Sequence, residues 1–237
     1  MRIALAFAGL ALALSAPLLA QSAQAPAPPA AERPQPVATL ENRAMSTKDL
    51  SDQLRAGGLV ILMRHERTNV PSRGDDYDRP ANDCSAQRNL SPAGVAGAAE
   101  TGVAIRALGW PIGRVLSSEM CRATETARFM FDRYEIEPRL MHHDNTAERT
   151  VTVSGQELNA LLADIPRGAK DNTVMVSHIG NIYFATGQRL SEGEFAVLQR
   201  QEDGQYVILG TFDPGYIGAH ARQAQYEAEQ SAAASAK

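Results

Sequence analysis

Short apolar runs and longer amphipathic stretches follow one another along this 237-residue chain. Thr47 to Ala56 carries Leu50 and Leu54 at i, i+4 spacing and ends at Gly57-Gly58, which predicts a short capped helix. Leu59 to Met63 is an unbroken apolar run, the mark of a strand buried on both faces. Residues 66–88 are polar and rich in Asp, Arg and Asn, a long loop directly after that strand. Ser91-Pro92 supplies an N-cap and a proline at the first helical position, and the helix runs to about Leu108 before Gly109. A strand over Arg114 to Ser117, a helix over Cys121 to Phe131 and a strand over Ile136 to Met141 come next. Ser154 to Ile165 is a helix with Leu158, Leu161 and Leu162 on one face, and Asn172 to Val176 is another buried strand, ending at Ser177-His178. Phe195 to Leu198 and Tyr206 to Thr211 read as a terminal hairpin around Asp203-Gly204. Strands alternating with helices imply an α/β three-layer sandwich, its largely parallel central sheet flanked by helices. No internal repeat is visible.

The two ends of the chain follow a different pattern. Met1-Arg2 gives a positive start, Ile3 to Leu14 is apolar or small, and Ser15-Ala16-Pro17 breaks the run ahead of more small residues. That order predicts a secretory signal peptide over 1–25, too short to span a bilayer comfortably. Residues 26–46 are rich in Pro and Ala and read as a flexible leader. The expected domain is 47–218, and 219–237 reads as a polar, frayed tail. The mature protein is expected to be soluble and periplasmic or secreted.

The formal net charge is -4, and loss of Arg2 with the signal segment makes it one unit more negative. A mildly acidic surface excludes nucleic acid as the main partner, because backbone phosphates need clustered Lys and Arg. Any anionic substrate must be held by a local pocket of positive charge. The two cysteines, Cys84 and Cys121, have two readings. An even count in an exported chain favours a disulfide, whose loop closure contributes up to about 3.9 kcal/mol in the chain-entropy treatment; the other reading is two separate small core residues. Their spacing fits no metal-ligand pattern.

Candidate chemistry gathers at strand ends. Arg64-His65 follows one buried strand and Ser177-His178 another, while Ser117-Ser118-Glu119-Met120-Cys121-Arg122 follows a third. In open α/β sheets ligands bind beyond the carboxyl ends of the strands. Two arginines and two histidines at one edge are costly unless an anion neutralises them, and guanidinium forks match phosphoryl oxygens.

On these residues the sequence resembles the histidine phosphatase superfamily, in its phosphoglycerate mutase-like branch. The resemblance covers about Gly58 to Thr211. It rests on Leu62-Met63-Arg64-His65-Glu66-Arg67-Thr68, Asn89-Leu90-Ser91-Pro92-Ala93-Gly94 and Val115-Leu116-Ser117-Ser118, then Arg122-Ala123-Thr124-Glu125-Thr126-Ala127 and Val176-Ser177-His178-Ile179-Gly180-Asn181. The stretch Asp83-Cys84-Ser85-Ala86-Gln87-Arg88-Asn89-Leu90-Ser91 is similar to small exported bacterial members. The resemblance implies a metal-independent phosphate monoester hydrolase without a cofactor. His65 would become a phosphohistidine, and Arg64, Arg122 and His178 would cradle the phosphoryl oxygens. Thr68 matches a pocket hydroxyl of the family.

The sequence departs from the family pattern at two places. Glu66 stands where the family has Gly or Ala, so a carboxylate adjoins the phosphate pocket, as a substrate contact, as a support for Arg64 or Arg122, or as a proton donor. Leu140-Met141-His142-His143-Asp144 replaces a Leu-X-Glu pattern, which puts His142 in the place of the proton donor with Asp144 beside it. The implied substrate is a phosphorylated small molecule or an envelope glycan. Two other classes compete: a phospho-ligand-binding protein without turnover, and a metal-dependent hydrolase using His65, His142, His143, His178 and Asp144.

Overall fold

The computed structural model describes residues 36–69, 74–142 and 149–235. The expected signal peptide, most of the expected leader, His143 and Asp144 lie outside the described residues. The continuous apolar runs become the centre of a six-stranded sheet. Val60 to Met63 of β1 (Val60–Arg64) and every residue of β4 (Asn172–Ser177) are buried. β1 pairs in parallel with β4, β4 with β2 (Ile112–Ser117), and β2 with the two-residue β3 (Glu135–Ile136). On its other side β1 meets β5 (Phe195–Arg200) antiparallel, and β5 forms a hairpin with β6 (Tyr206–Phe212). The order is β3-β2-β4-β1-β5-β6.

Successive strand residues point to opposite faces, so each buried strand serves two cores. Ile61, Met63, Val174 and Val176 pack with Leu50 and Leu54 of α1 (Thr47–Ala56) and Ile105 of α2 (Pro92–Ala107), and with Met130 of α3 (Cys121–Phe131). Val60, Leu62 and Met175 pack instead with Leu158, Leu161 and Leu162 of α4 (Val151–Asp164) and Ile182 of α5 (Ile179–Thr186). Helices therefore cover both faces, as the alternation of elements implies. Burying each such aliphatic side chain stabilises by roughly 1.5–3 kcal/mol. Ser46, Ser91 and Thr150 cap α1, α2 and α4 by accepting the amides of Asp49, Gly94 and Val153, each worth about 0.5–2 kcal/mol. At the lower end of β4, Asn172 ties three segments together. Its Nδ2 donates to Leu54 O at 2.7 Å, its Oδ1 accepts Leu59 N at 3.1 Å, and its own amide donates to Pro111 O at 2.9 Å.

Three stretches differ from the sequence reading. Within the stretch read as leader, residues 37–45 lie against the domain: Val37 N donates to Phe184 O, and Arg43 and Met45 donate to Ile208 and Leu209 of β6. A sheet edge exposes unpaired backbone groups, and an extended segment of almost any composition can satisfy them. The strand expected over Ile136–Met141 stops after Ile136. Pro138 lacks an amide proton, and Pro138–Leu140 forms a 3₁₀ turn instead. Residues 219–235 of the stretch read as a frayed tail lie within α6 (Pro214–Ser235), anchored by buried Ile217 and Ala221. Alanine has the highest helix propensity, and here it outweighed the polar composition.

Candidate active site

Because β2, β4 and β1 are adjacent and parallel, their carboxyl ends deliver Ser117-Ser118, Ser177-His178 and Arg64-His65 to one edge. In register, Arg64 pairs with Ser177 and Ser117 with Val176. His65 and His178 are buried with ring centroids 5.3 Å apart, and the His142 ring meets His178 edge-on at 5.0 Å. The 3₁₀ turn after β3 carries His142 there, and Asn181 of α5 holds that turn by donating to Met141 O at 2.6 Å. Arg122, in the first turn of α3, is fully buried.

His65 Nδ1 lies 2.8 Å from the Glu66 carbonyl. A carbonyl accepts only, so Nδ1 carries the proton and Nε2 keeps its lone pair. Burial, then the Arg122 guanidinium beside it, hold the His65 pKa well below the ordinary histidine value despite that carbonyl bond. The ring is therefore neutral at neutral pH, with its lone pair on Nε2. Burial and Arg122 do the same for His178. Its Nε2 lies 2.8 Å from Ser118 Oγ.

Several buried donors at this edge lack acceptors. Among the described residues nothing accepts from Arg64 Nε, Arg122 Nε or Arg122 Nη2, and His178 Nδ1 is equally unpaired. Buried polar groups are nearly always satisfied, so a cluster of unpaired donors is suited to receive an anion. Among the described residues the Arg122 guanidinium has one hydrogen-bond partner, Asp75, whose Oδ1 lies 3.1 Å from Nη1. Arg64 Nη1 donates to Leu190 O at 3.2 Å, and Nη2 lies 3.5 Å from Glu192.

Asp75 belongs to the loop before α2. Burial pushes its carboxyl up, but the Arg88 amide and the Arg122 and Arg88 guanidiniums outweigh this and hold it below the ordinary carboxylate value. Cys84 and Cys121 are joined by a disulfide, and Cys121 N donates to Gln87 Oε1 at 2.9 Å. The loop is thus stapled to the start of α3, one residue before Arg122.

The structure brings Arg64, His65, Arg122, His178 and His142 together. Two other expected contacts are taken up by protein groups. The Glu66 side chain, fully buried, fills a slot between Gly97 of α2 and Gly193: a Cβ on either glycine would lie 3.0 or 2.7 Å from its Oε1. Its Oε2 accepts Arg67 N, and burial raises its carboxyl above the ordinary value. What Glu66 gives the site is its backbone carbonyl, not a substrate contact. Thr68 Oγ1 donates to Glu192 Oε1 at 2.9 Å, so a carboxylate takes the hydroxyl expected to meet phosphate. Ser118, Asp75 and Tyr77 enter the site without having been assigned a role from sequence. Ser118 stands in a matched motif after β2, the one signal that could have found it. Among the described residues no group of three or more His, Cys, Asp or Glu is placed to hold a metal ion.

No family model matches the sequence, and no curated protein matches it. Solved structures do. A phosphoserine phosphatase from Entamoeba histolytica in complex with 3-phosphoglyceric acid matches at 16% identity, with a TM-score of 0.48, over 65% of this chain and 96% of that one. The protein histidine phosphatase SixA complexed with tungstate matches at 18% identity and a TM-score of 0.49, over 67% of this chain and 99% of that one. A proposed α-ribazole-5′-phosphate phosphatase from Escherichia coli K-12 matches at 15% identity and a TM-score of 0.50, over 66% of this chain and 97% of that one. The chain shares the α/β fold of that last phosphatase. In this fold the orphaned donors lie at the carboxyl edge of the parallel strands, where α/β sheets bind ligands.

Proposed function

We propose that the chain is a member of the histidine phosphatase superfamily that hydrolyses phosphate monoesters through a phosphohistidine on His65, without a metal or cofactor. One observation carries the reading: a buried, neutral imidazole with Nε2 as its lone-pair nitrogen faces a cluster of buried, unpaired guanidinium and imidazole donors. Phosphoryl transfer needs alignment and charge stabilisation more than covalent work. His65 Nε2 attacks phosphorus in line with the leaving oxygen. Arg64, Arg122 and His178 meet the equatorial oxygens, and a bound dianion draws His178 toward its cationic, doubly donating form. His142 protonates the leaving oxygen. Water then cleaves the nitrogen–phosphorus bond.

The substrate is a phosphorylated small molecule or an envelope glycan, met outside the cytoplasm after signal cleavage. The Cys84–Cys121 bridge fits an oxidising compartment, and among the described residues no helix is long and apolar enough to cross a membrane. The test is His65→Ala. It should abolish hydrolysis of an activated aryl phosphate, by about 10³-fold or more as removals of covalent nucleophiles do. Wild type should carry an acid-labile, base-stable phosphoryl label during turnover. Activity near wild type in His65→Ala would overturn the assignment. A wild type that binds vanadate without turnover would make the chain a phospho-ligand-binding protein.

A further inference from the structure

The disulfide-stapled loop places a second set of groups over the pocket, on the side of His142. Tyr77 Oη lies 3.3 Å from Asp75 Oδ2 and 3.2 Å from His142 Nδ1. The Tyr77 and His142 rings lie nearly parallel, 20° apart, with centroids separated by 5.9 Å. Asp75 spans two jobs: Oδ1 accepts from Arg122 Nη1 at 3.1 Å and from the Arg88 amide at 2.8 Å, while Oδ2 faces the phenol. A phenol has one proton. An ionised carboxylate is the stronger acceptor, so that proton goes to Asp75, and the phenol oxygen then accepts from His142 Nδ1. Burial and the Asp75 charge push the Tyr77 hydroxyl pKa up, so it stays a neutral donor.

We propose that Tyr77, oriented by Asp75, is a positioning residue that holds His142 as the proton donor to the leaving group. The inference rests on the reading that His65 cleaves a phosphate ester. With Nδ1–H bonded to the phenol, the second N–H of the His142 imidazolium, at Nε2, is the one given up. As the His65 Nε2–phosphorus bond forms, the ester phosphorus–oxygen bond breaks. The leaving oxygen takes the Nε2 proton and departs as an alcohol. Neutral His142 then accepts a proton from the water that attacks the phosphohistidine. The nitrogen–phosphorus bond breaks, phosphate leaves, and His142 is cationic again. Through Asp75 the donor and the clamp arginine share one anchor, so the loop that closes on Arg122 also sets the acid.

The test compares an alkyl phosphate, whose alkoxide needs a proton, with p-nitrophenyl phosphate, whose phenolate does not. Proton donation to a poor leaving group is typically worth about 10²–10⁴ in rate. Tyr77→Phe keeps the ring and removes the bridge. Its kcat on the alkyl ester should fall at least about tenfold further than on the aryl ester, a share of that contribution. Because Tyr77 acts through His142, the double variant Tyr77→Phe/His142→Ala should be no slower on the alkyl ester than His142→Ala alone. Equal losses on both esters, or losses that multiply in the double variant, would overturn the proposal. Failure of the underlying reading looks different: His65→Ala would then keep its activity on both esters. If His142→Ala shows the leaving-group bias and Tyr77→Phe does not, the histidine is the acid and the anchoring chain is wrong.

Discussion

The two ends of β4 carry buried polar side chains that are treated in opposite ways. At its start, Asn172 is fully buried and uses both ends of its amide, accepting Leu59 N and donating to Leu54 O. Just beyond its other end, His178 is equally buried, its Nδ1 is without a partner, and burial holds its pKa well below the ordinary value. Arg122 next to it leaves Nε and Nη2 unpaired. A satisfied buried amide stabilises the fold and specifies how α1 meets the sheet. Unsatisfied buried donors do the reverse: each costs about 1–3 kcal/mol of desolvation that no protein acceptor returns. The same strand thus separates polarity kept for structure from polarity held ready for an anion.

Removing each kind should break the molecule differently. Asn172→Ala strands the Leu59 amide and the Leu54 carbonyl in the core, and two such orphans predict a loss of about 2–5 kcal/mol. Urea unfolding should show that loss, while vanadate affinity, measured where the variant is still folded, should match wild type. A vanadate defect as large as the stability defect would mean that the lower end of β4 also shapes the site. Arg122→Lys should invert the pattern. Lysine cannot reproduce the paired bonds of a guanidinium, so vanadate affinity should fall by roughly 100-fold, about 2.7 kcal/mol. Stability without ligand should change by under about 1 kcal/mol, because one partly satisfied buried cation replaces another and a lysine can keep the Asp75 ion pair. Unchanged vanadate affinity would place Arg122 outside the clamp.

The sequence made one end of this comparison legible and left much of the other hidden. Arg64, His65, Arg122 and His178 could be read because each follows a strand or opens a helix, and parallel strands carry such residues to one edge whatever the loops do. Asp75 and Tyr77 could not. They lie in a polar loop with no periodicity, and their places depend on the Cys84–Cys121 bridge and on Arg122, contacts distant in sequence. Glu66 was misleading for a related reason. Adjacency to His65 suggested a substrate contact, but the side chain goes where Gly97 and Gly193 leave room. The α6 helix was missed because polar composition was weighed above alanine propensity, with only Ile217 and Ala221 to mark the buried face. The strap at 37–45 carries little side-chain signal: most of its hydrogen bonds to the domain are made by backbone, with Leu40 and Met45 packing against the two cores and Arg43 Nη2 donating to Gln201 Oε1.

The smallest expected effect is on pH dependence, and it sharpens the comparison without altering the clamp's shape. In the folded protein His65 and His178 both hold pKa values well below that of a free histidine, through burial first and Arg122 second. Unfolded, each titrates near about 6.5. Between the folded and unfolded values the unfolded chain therefore binds more protons, so stability is complete above about pH 6.5 and declines as pH falls. Each histidine can add a slope of up to about 1.4 kcal/mol per pH unit in that window. Glu66 acts in the other sense: burial raises its carboxyl, so the folded state takes up that proton first and regains stability toward acid. Asp75, held below the ordinary carboxylate value, is lost only at lower pH still. Urea unfolding of wild type from pH 7.5 to 5 should show the decline, and His65→Ala should show a slope shallower by about one proton. Saturating phosphate or vanadate should flatten the wild-type slope, because a bound anion pulls the imidazole pKa values back up. A wild-type slope identical to that of His65→Ala, with and without anion, would mean that His65 titrates as a free histidine, and the neutral nucleophile inferred from its burial would have to be given up.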